Sequence, residues 1–131
     1  AATCASLAEA AMANGKTAVV YTSRTVIDLS DQTPEQLLAI SVRISDALTS
    51  VVSRLAKRPR FLIAKGGITS SDVGTIALAV KKARVLGQVQ PGIPVWKIGE
   101  ESRFPGMSYI IFPGNVGDED TLRKIVEVLN R

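Results

Sequence analysis

Residues 60–80, RFLIAKGGITSSDVGTIALAV, contain the pattern that decides the fold of this chain. The apolar run 61–64 predicts a short buried strand. A glycine turn at 65–67 interrupts the run, and the hydroxyl residues 69–71 that follow can cap a helix. Strand, glycine turn and helix in this order leave backbone N–H groups free at the positive end of a helix dipole, which suits a phosphate. The same pattern is also typical of a tight turn that binds nothing, so both interpretations stay open at this point.

The composition excludes several kinds of site. Histidine is absent and Cys4 is the one cysteine, which rules out histidine-based acid–base catalysis, most zinc sites and an internal disulfide. The net charge of +4 is mild, and no dense basic cluster is interleaved with aromatics, so we expect no nucleic-acid partner. No apolar run approaches the roughly 18 residues of a membrane span. Glu9 interrupts the alanine-rich N-terminal stretch, which does not have the layout of a signal peptide. We therefore expect a cytoplasmic protein with no membrane partner.

Helix and strand patterns alternate along the rest of the chain. The strongest helix pattern covers 33–57, where Thr33, Pro34 and Gln36 occupy the N-cap, N1 and capping-box positions. Apolar residues recur at steps of three and four between positions 37 and 55, which predicts a continuous buried stripe. The other predicted elements are helices at 3–14 and 118–130 and strands at 17–22, 61–64, 83–89, 95–98 and 108–112. This order predicts an α/β fold, a three-layer domain with a mostly parallel sheet and helices on both faces.

A second glycine-rich turn repeats the design of the first. The predicted strand 108–112 is followed by PGNVG at 113–117, and a helix pattern begins at Asp118. In a mostly parallel sheet both turns emerge at the carboxyl edge, where α/β folds bind ligands. The spacing fits neither a Walker A motif nor G-x-G-x-x-G. Two such turns at one edge still favour a nucleotide site there.

Four short motifs occur in a fixed order between residues 65 and 117: KGGITS, ARVLGQ, ESRFPG and FPGNVG. Through them residues 17–131 resemble the carboxyl-terminal nucleotide-binding domain of the four-carbon acid sugar kinases. In that family a separate amino-terminal domain binds the sugar acid and contains an aspartate-rich catalytic motif, which is missing from this sequence. The resemblance therefore implies that residues 1–131 are one nucleotide-binding C-terminal domain, a fragment of a larger two-domain kinase.

Carried over residue by residue, the resemblance implies nucleotide contacts at Gly66, Gly67, Ile68 and Thr69 in the first turn and at Gly114 in the second. Many relatives have an acidic residue at the position of Ile68, so the contact there would be made by the backbone. The resemblance implies ATP and Mg²⁺ as cofactors, and a homodimer of the complete enzyme. It assigns no catalytic residue and no metal-binding residue to this chain.

Other residues near the turns, or in the loops that lead to them, are weaker candidates. Neighbours of the implied nucleotide contacts are Lys65, Ser70, Asn115 and Gly117. Acidic residues that could contact Mg²⁺, although capping or solvation explains each of them better, are Asp72, Glu100, Glu101 and Asp118. Arg24, after the predicted strand 17–22, could face a phosphate but is better explained as a surface arginine. Arg103 is explained equally well as a surface charge, and Trp96 equally well as a core aromatic.

Three functions remain open from the sequence. The first is the ATP-binding domain of a kinase that transfers the γ-phosphate of ATP to a hydroxyl of a four-carbon sugar acid such as threonate, erythronate or a 3-oxo-tetronate. In that function the sugar acid is held by the missing amino-terminal domain, and this fragment alone is inactive. The second is a stand-alone nucleotide-binding regulatory module without catalysis. The third is a structural domain whose glycine turns bind nothing.

Overall fold

The computed structural model of this chain describes residues 1–25 and 28–131, which form helices and one sheet. In chain order the elements are α1 (Ala2–Ala13), α2 (Pro34–Ser53), β1 (Phe61–Lys65), α3 (Gly67–Asp72), β2 (Ala83–Gln90), β3 (Ile93–Ile98), β4 (Ser108–Phe112) and α4 (Thr121–Leu129). A π-helical turn, Val73–Ala77, continues α3 without a break. Among the described residues, no helix is both long enough and apolar enough to cross a membrane.

The sheet is mixed, so the prediction of a mostly parallel sheet is wrong. Its four strands lie in the order β1-β4-β3-β2, and only the β1–β4 pair is parallel. β3 runs antiparallel to both of its neighbours. The reason is the short turn at Pro91-Gly92, since a two-residue connection between β2 and β3 can only join antiparallel strands.

Helices cover both faces of this sheet, as predicted. Side chains alternate between the faces along each strand, so Tyr109 and Ile110 on β4 belong to two different clusters of buried side chains. The Tyr109 cluster lies on the face packed by α1, α2 and the α3 segment. The Ile110 cluster lies on the opposite face, where Ile125 of α4 is fully buried. The result is an α/β/α arrangement with the sheet between two apolar clusters.

The predicted strand at 17–22 is not a strand in this structure. The segment has no regular secondary structure, and Val19, Val20 and Tyr21 are exposed. Its position is fixed at the start, where the side-chain amide of Asn130 donates to Thr17 Oγ1 at 3.1 Å. A β-branched run favours extended backbone, but it becomes a strand only when another strand lies beside it. None of the four strands of the sheet pairs with this segment.

Helix α2 begins where the sequence predicts, but its apolar stripe is not buried along the whole helix. Thr33 is the N-cap, and its hydroxyl and the Gln36 side chain form the reciprocal capping box. The apolar stripe becomes buried only near the C-terminal end of the helix, at Val51, whereas Leu37 and Ile44 are 38% and 45% exposed. The helix ends at Ser53 rather than at 57. Helix α4 likewise starts three residues later than predicted, at Thr121.

Candidate functional site

Gly66 joins β1 to α3 in a conformation that other residues rarely adopt. Its backbone has φ +105° and ψ 145°, a region that is essentially restricted to glycine. Its amide donates to the carbonyl of Phe112, the last residue of β4, at 2.9 Å. The first glycine turn is therefore held at the end of the parallel strand pair. The positive φ lies at Gly66 and not at Gly67.

Three backbone amides are left without helical partners at the start of α3. The N-cap is Gly66, which has no side chain, and the first intrahelical bond runs from the Ser70 amide to the Gly66 carbonyl at 2.9 Å. The amides of Gly67, Ile68 and Thr69 precede this bond, so no helical carbonyl is available to them. These three residues are among those the sequence marks as nucleotide contacts. The group they form is a row of neutral donors at the positive end of a short helical segment.

The hydroxyl residues after the glycines do not cap this helix, contrary to the prediction from sequence. Ser70 is buried inside α3, and its hydroxyl donates to the carbonyl of Gly67 at 3.1 Å. Thr69 lies in the first turn, with its Oγ1 3.8 Å from the point where a Cβ on Gly66 would be. The helix starts at Gly67 because Gly66 can adopt the special backbone angles that a helix entry after β1 requires. The uncapped start keeps the amides available.

The two glycine turns touch each other. A Cβ on Gly114 would lie 3.8 Å from the Cα of Gly66. The contact follows from the parallel pairing of β1 with β4, in which Lys65 is the register partner of Phe112. Both strands therefore deliver their turns to the same edge, as the sequence predicts. The structure brings together all five residues for which the family resemblance implies nucleotide contacts. Their contact with a nucleotide stays a prediction.

Side chains at this edge leave the backbone exposed. Ile68 is 74% exposed, so its side chain covers neither turn. No atom lies within 4 Å of the position that a Cβ on Gly67 would take. The Lys65 ammonium lies 5.1 Å from the centre of the Phe112 ring, beside the turns. A ligand at this edge would meet backbone donors first and one nearby cation.

Helix α3 is fixed to the sheet directly behind its free amides. The hydroxyl of buried Tyr109 on β4 donates to the carbonyl of Ser70 at 2.5 Å. Gly74 lies over the same ring, where a Cβ would come within 3.3 Å of Tyr109 Cε1. Burial raises the pKa of the Tyr109 hydroxyl, so this side chain remains a neutral donor. The orientation of α3 thus depends on one buried tyrosine of the central sheet.

The acidic residues that could contact Mg²⁺ are mostly engaged elsewhere. Asp72 accepts a hydrogen bond from the hydroxyl of Ser45 at 2.9 Å. Asp118 accepts from the Thr121 hydroxyl and the Asp120 amide just before α4, and these bonds lower its pKa. No group of three His, Cys, Asp or Glu residues that could hold a metal ion occurs in residues 1–25 and 28–131.

Glu101 and Arg103 stabilise loops and helix ends. The Glu101 carboxylate accepts hydrogen bonds from the amides of Lys81 and Lys82 at 2.8 and 2.6 Å. These bonds, with one from its own amide, lower the pKa of Glu101. The Arg103 guanidinium donates to the carbonyl of Val52 in the last turn of α2 and to that of Leu55 just after the helix. The ESRFPG motif therefore supports the ends of the helices that surround the sheet.

The geometry of the two glycine turns and of the amides at the start of α3 defines a class of protein. A short α/β domain that presents free helix amides and a second glycine turn at one sheet edge has the features of a phosphate-binding, and hence nucleotide-binding, domain. The family model "Nucleotide-binding C-terminal domain" matches residues 1–122, and this chain belongs to that family, the nucleotide-binding domain of the four-carbon acid sugar kinases.

Two solved structures share the fold. A Haemophilus influenzae protein of the DUF1537 family is 23% identical with a TM-score of 0.63, over 96% of this chain and 31% of that one. A Bordetella bronchiseptica domain of unknown function of the same family, described as a domain-swapped dimer with bound citrate, is 14% identical with a TM-score of 0.59. That alignment covers 98% of this chain and 37% of the other. This chain thus spans about a third of the length of these relatives. No curated protein sequence matches it.

Proposed function

We propose that this chain is the ATP-binding domain of a kinase that transfers the γ-phosphate of ATP to a hydroxyl of a four-carbon sugar acid of the threonate, erythronate or 3-oxo-tetronate type. The observation behind the proposal is the contact between the two glycine turns, which places Gly114 beside Gly66 and the three free amides of α3. The family match supports the nucleotide, and the resemblance of the four sequence motifs supports the acceptor. Residues 1–131 then act as one nucleotide-binding C-terminal domain of a larger, two-domain enzyme.

The proposed task of this domain is to hold and orient the phosphates. Phosphoryl transfer depends mainly on positioning and on stabilising negative charge, which backbone amides can do without a protonation step. The amides of Gly67, Ile68 and Thr69 are the donors, and Gly66 and Gly114 allow the close approach of the phosphates. Ile68 contributes only its backbone, since its side chain faces solvent.

The acceptor hydroxyl and the catalytic base belong to the other domain in this proposal. The described residues offer no carboxylate cage for Mg²⁺, and the two acidic side chains nearest in sequence to the turns, Asp72 and Asp118, are hydrogen-bonded. In this proposal Mg²⁺ enters bound to the nucleotide phosphates, a mode that does not require a cage of protein carboxylates. A homodimer of the complete enzyme is part of the proposal, in keeping with the dimer described for the Bordetella protein.

Titration calorimetry with ATP and ADP, each with and without Mg²⁺, tests the nucleotide site. We expect both nucleotides to bind the chain, because both place phosphates at the two turns. If neither ATP nor ADP binds, the proposal is contradicted.

An activity assay tests the division of labour between the domains. ATP, Mg²⁺ and a panel of four-carbon acids should yield no phosphorylated acid with this chain alone, because neither the acceptor site nor the base is present. Turnover well above background would show that the base lies within these residues. The coding sequence upstream gives a second test, since the proposal requires an adjoining domain with an aspartate-rich motif.

A further inference from the structure

A cleft of about 440 Å³ lies beside α3, on the sheet face that also contains Tyr109. Its floor is formed by Trp96, Tyr109 and Ile111. Trp96 on β3 is the direct register partner of Tyr109 on β4, so the two rings stand side by side on the same face of the sheet. Trp96 is only half-buried, which leaves part of its indole accessible from the cleft. The volume falls within the range of small-molecule sites, about 300–1,000 Å³.

One wall of the cleft leads to the glycine turn. This wall is the side of the α3 segment that includes Ser70, Ser71, Gly74 and Thr75. Residues three and four apart lie on the same side of a helix, so Gly67 continues this wall at its N-terminal end. Apart from its chain neighbours and the backbone of its own helix, no atom lies within 4 Å of the position of a Cβ at Gly67, so no other part of the chain covers this end of the wall. Tyr109 lies three residues, or about 10 Å, along β4 from Phe112. The carbonyl of Phe112 accepts from the Gly66 amide.

The opposite wall suits an aromatic ring with acceptor atoms. It is formed by the edge strand β2, where Val85 is 63% exposed, and by Lys81 and Lys82 at the far end. In the part of the chain that the structure describes, neither lysine ammonium lies within 4 Å of a carboxylate oxygen. The carboxylate nearby is that of Glu101, which accepts from the backbone amides of the two lysines. A purine base presents ring nitrogens that accept hydrogen bonds, and a flat face that stacks on an indole.

We propose that this cleft binds the purine base of the nucleotide, with the base against Trp96 and the phosphates at the glycine turns. The inference rests on the proposed nucleotide function and extends it by a base subsite. One nucleotide can span both places in this proposal, because Gly67 of the phosphate-binding turn lies on the side of α3 that lines the cleft. The base then contributes affinity that a bare phosphate chain lacks.

Trp96 is the one tryptophan of the sequence and reports directly on this contact. We expect ATP to change the emission of Trp96, whereas inorganic tripolyphosphate binds in calorimetry and leaves the emission unchanged. A matched pair of variants gives the second measurement. Val85→Arg places a long side chain in the cleft, while Leu86→Arg adds the same charge to an exposed position of β2 that does not line the cleft.

Val85→Arg should weaken ATP binding about tenfold, in line with the loss of one base–aromatic stack, and leave tripolyphosphate binding unchanged. Leu86→Arg should bind both ligands like the parent. If ATP binds but neither Trp96 emission nor the Val85→Arg affinity changes, the base lies elsewhere and the inference fails while the proposed function stands. If neither ATP nor tripolyphosphate binds the parent chain, the proposed function fails and the base subsite falls with it. The emission of the unsubstituted chain decides the question even if a variant does not fold.

Discussion

Substitution of Gly67 separates the nucleotide site from the stability of the fold. Gly67 does not have a positive φ, and a Cβ at this position meets no atom within 4 Å outside its chain neighbours and its own helix backbone, so a side chain can be added there without backbone strain. A phosphate in contact with the three amides must approach the same space. We expect Gly67→Val to keep a phosphate away from at least two of these donors. At about 1.5 kcal/mol for each charge-assisted bond, the loss is about 3 kcal/mol, or roughly a hundredfold in Kd.

Calorimetric titration of the parent, Gly67→Ala and Gly67→Val with ATP measures this effect, and thermal unfolding checks that each variant folds. Affinity should fall as the side chain grows, while the melting temperature stays within a few degrees of the parent. Thr69→Ala should cost less than Gly67→Val, because one hydroxyl is removed and the amides remain. Ala39→Val, at an exposed position of α2, is the control for adding valine to a helix. A folded Gly67→Val chain that binds ATP like the parent would refute the placement of phosphates at this turn.

Two further predictions concern the contact between α3 and the sheet. Because burial raises the Tyr109 pKa, the unfolded chain loses this proton near pH 10 while the folded chain keeps it, so stability is intact below pH 10 and falls above it by about 1.4 kcal/mol per pH unit. Urea unfolding from pH 8 to 11 should show a steeper alkaline loss for the parent than for Tyr109→Phe, and equal slopes would contradict the assignment. Gly74→Val should destabilise the chain by about 1–3 kcal/mol, since its side chain would press on the buried Tyr109 ring, and an unchanged urea midpoint would show that the ring can move aside.

Local signals in the sequence were sufficient for the features that depend on a few neighbouring residues. The capping box at Thr33 was predictable because both partners lie within one turn of helix. The meeting of Gly66 and Gly114 was predictable because each turn follows a strand, and β1 and β4 are parallel neighbours. The capping box is set by short-range chemistry, whereas the meeting of the turns follows from strand pattern once the two strands are parallel neighbours.

Other features that depend on a distant partner were not predictable. The run 17–22 has strand composition, but composition does not say whether a strand will lie beside it. The sequence shows a periodic stripe through Ile44, yet it does not show that Leu37 and Ile44 are exposed in the folded chain. Gly92 has φ +78°, and a Cβ there would lie 3.3 Å from Val116 Cγ1, which the sequence of the turn does not show. Backbone angles and tertiary neighbours decided each of these cases.

The Trp96 cleft was missed for a related reason. Trp96 lies in an apolar strand pattern, which favours a core aromatic, and only the mixed sheet shows that part of its ring is accessible. A parallel arrangement of the same strands would have required a crossover helix, which would cover this face. The hairpin of β2 and β3 leaves it open.

The hydrogen bond from Tyr109 to Ser70 has a consequence for the entropy of ligand binding. Loops that order only when a ligand arrives lose conformational freedom at that moment, and this loss reduces their affinity. Here the first turn of α3 is held from beneath by a buried side chain of the central sheet, and at its entry by the Gly66 amide on Phe112. The fold itself therefore holds the three donors in position. Binding energy from the phosphates would go into affinity rather than into ordering the turn.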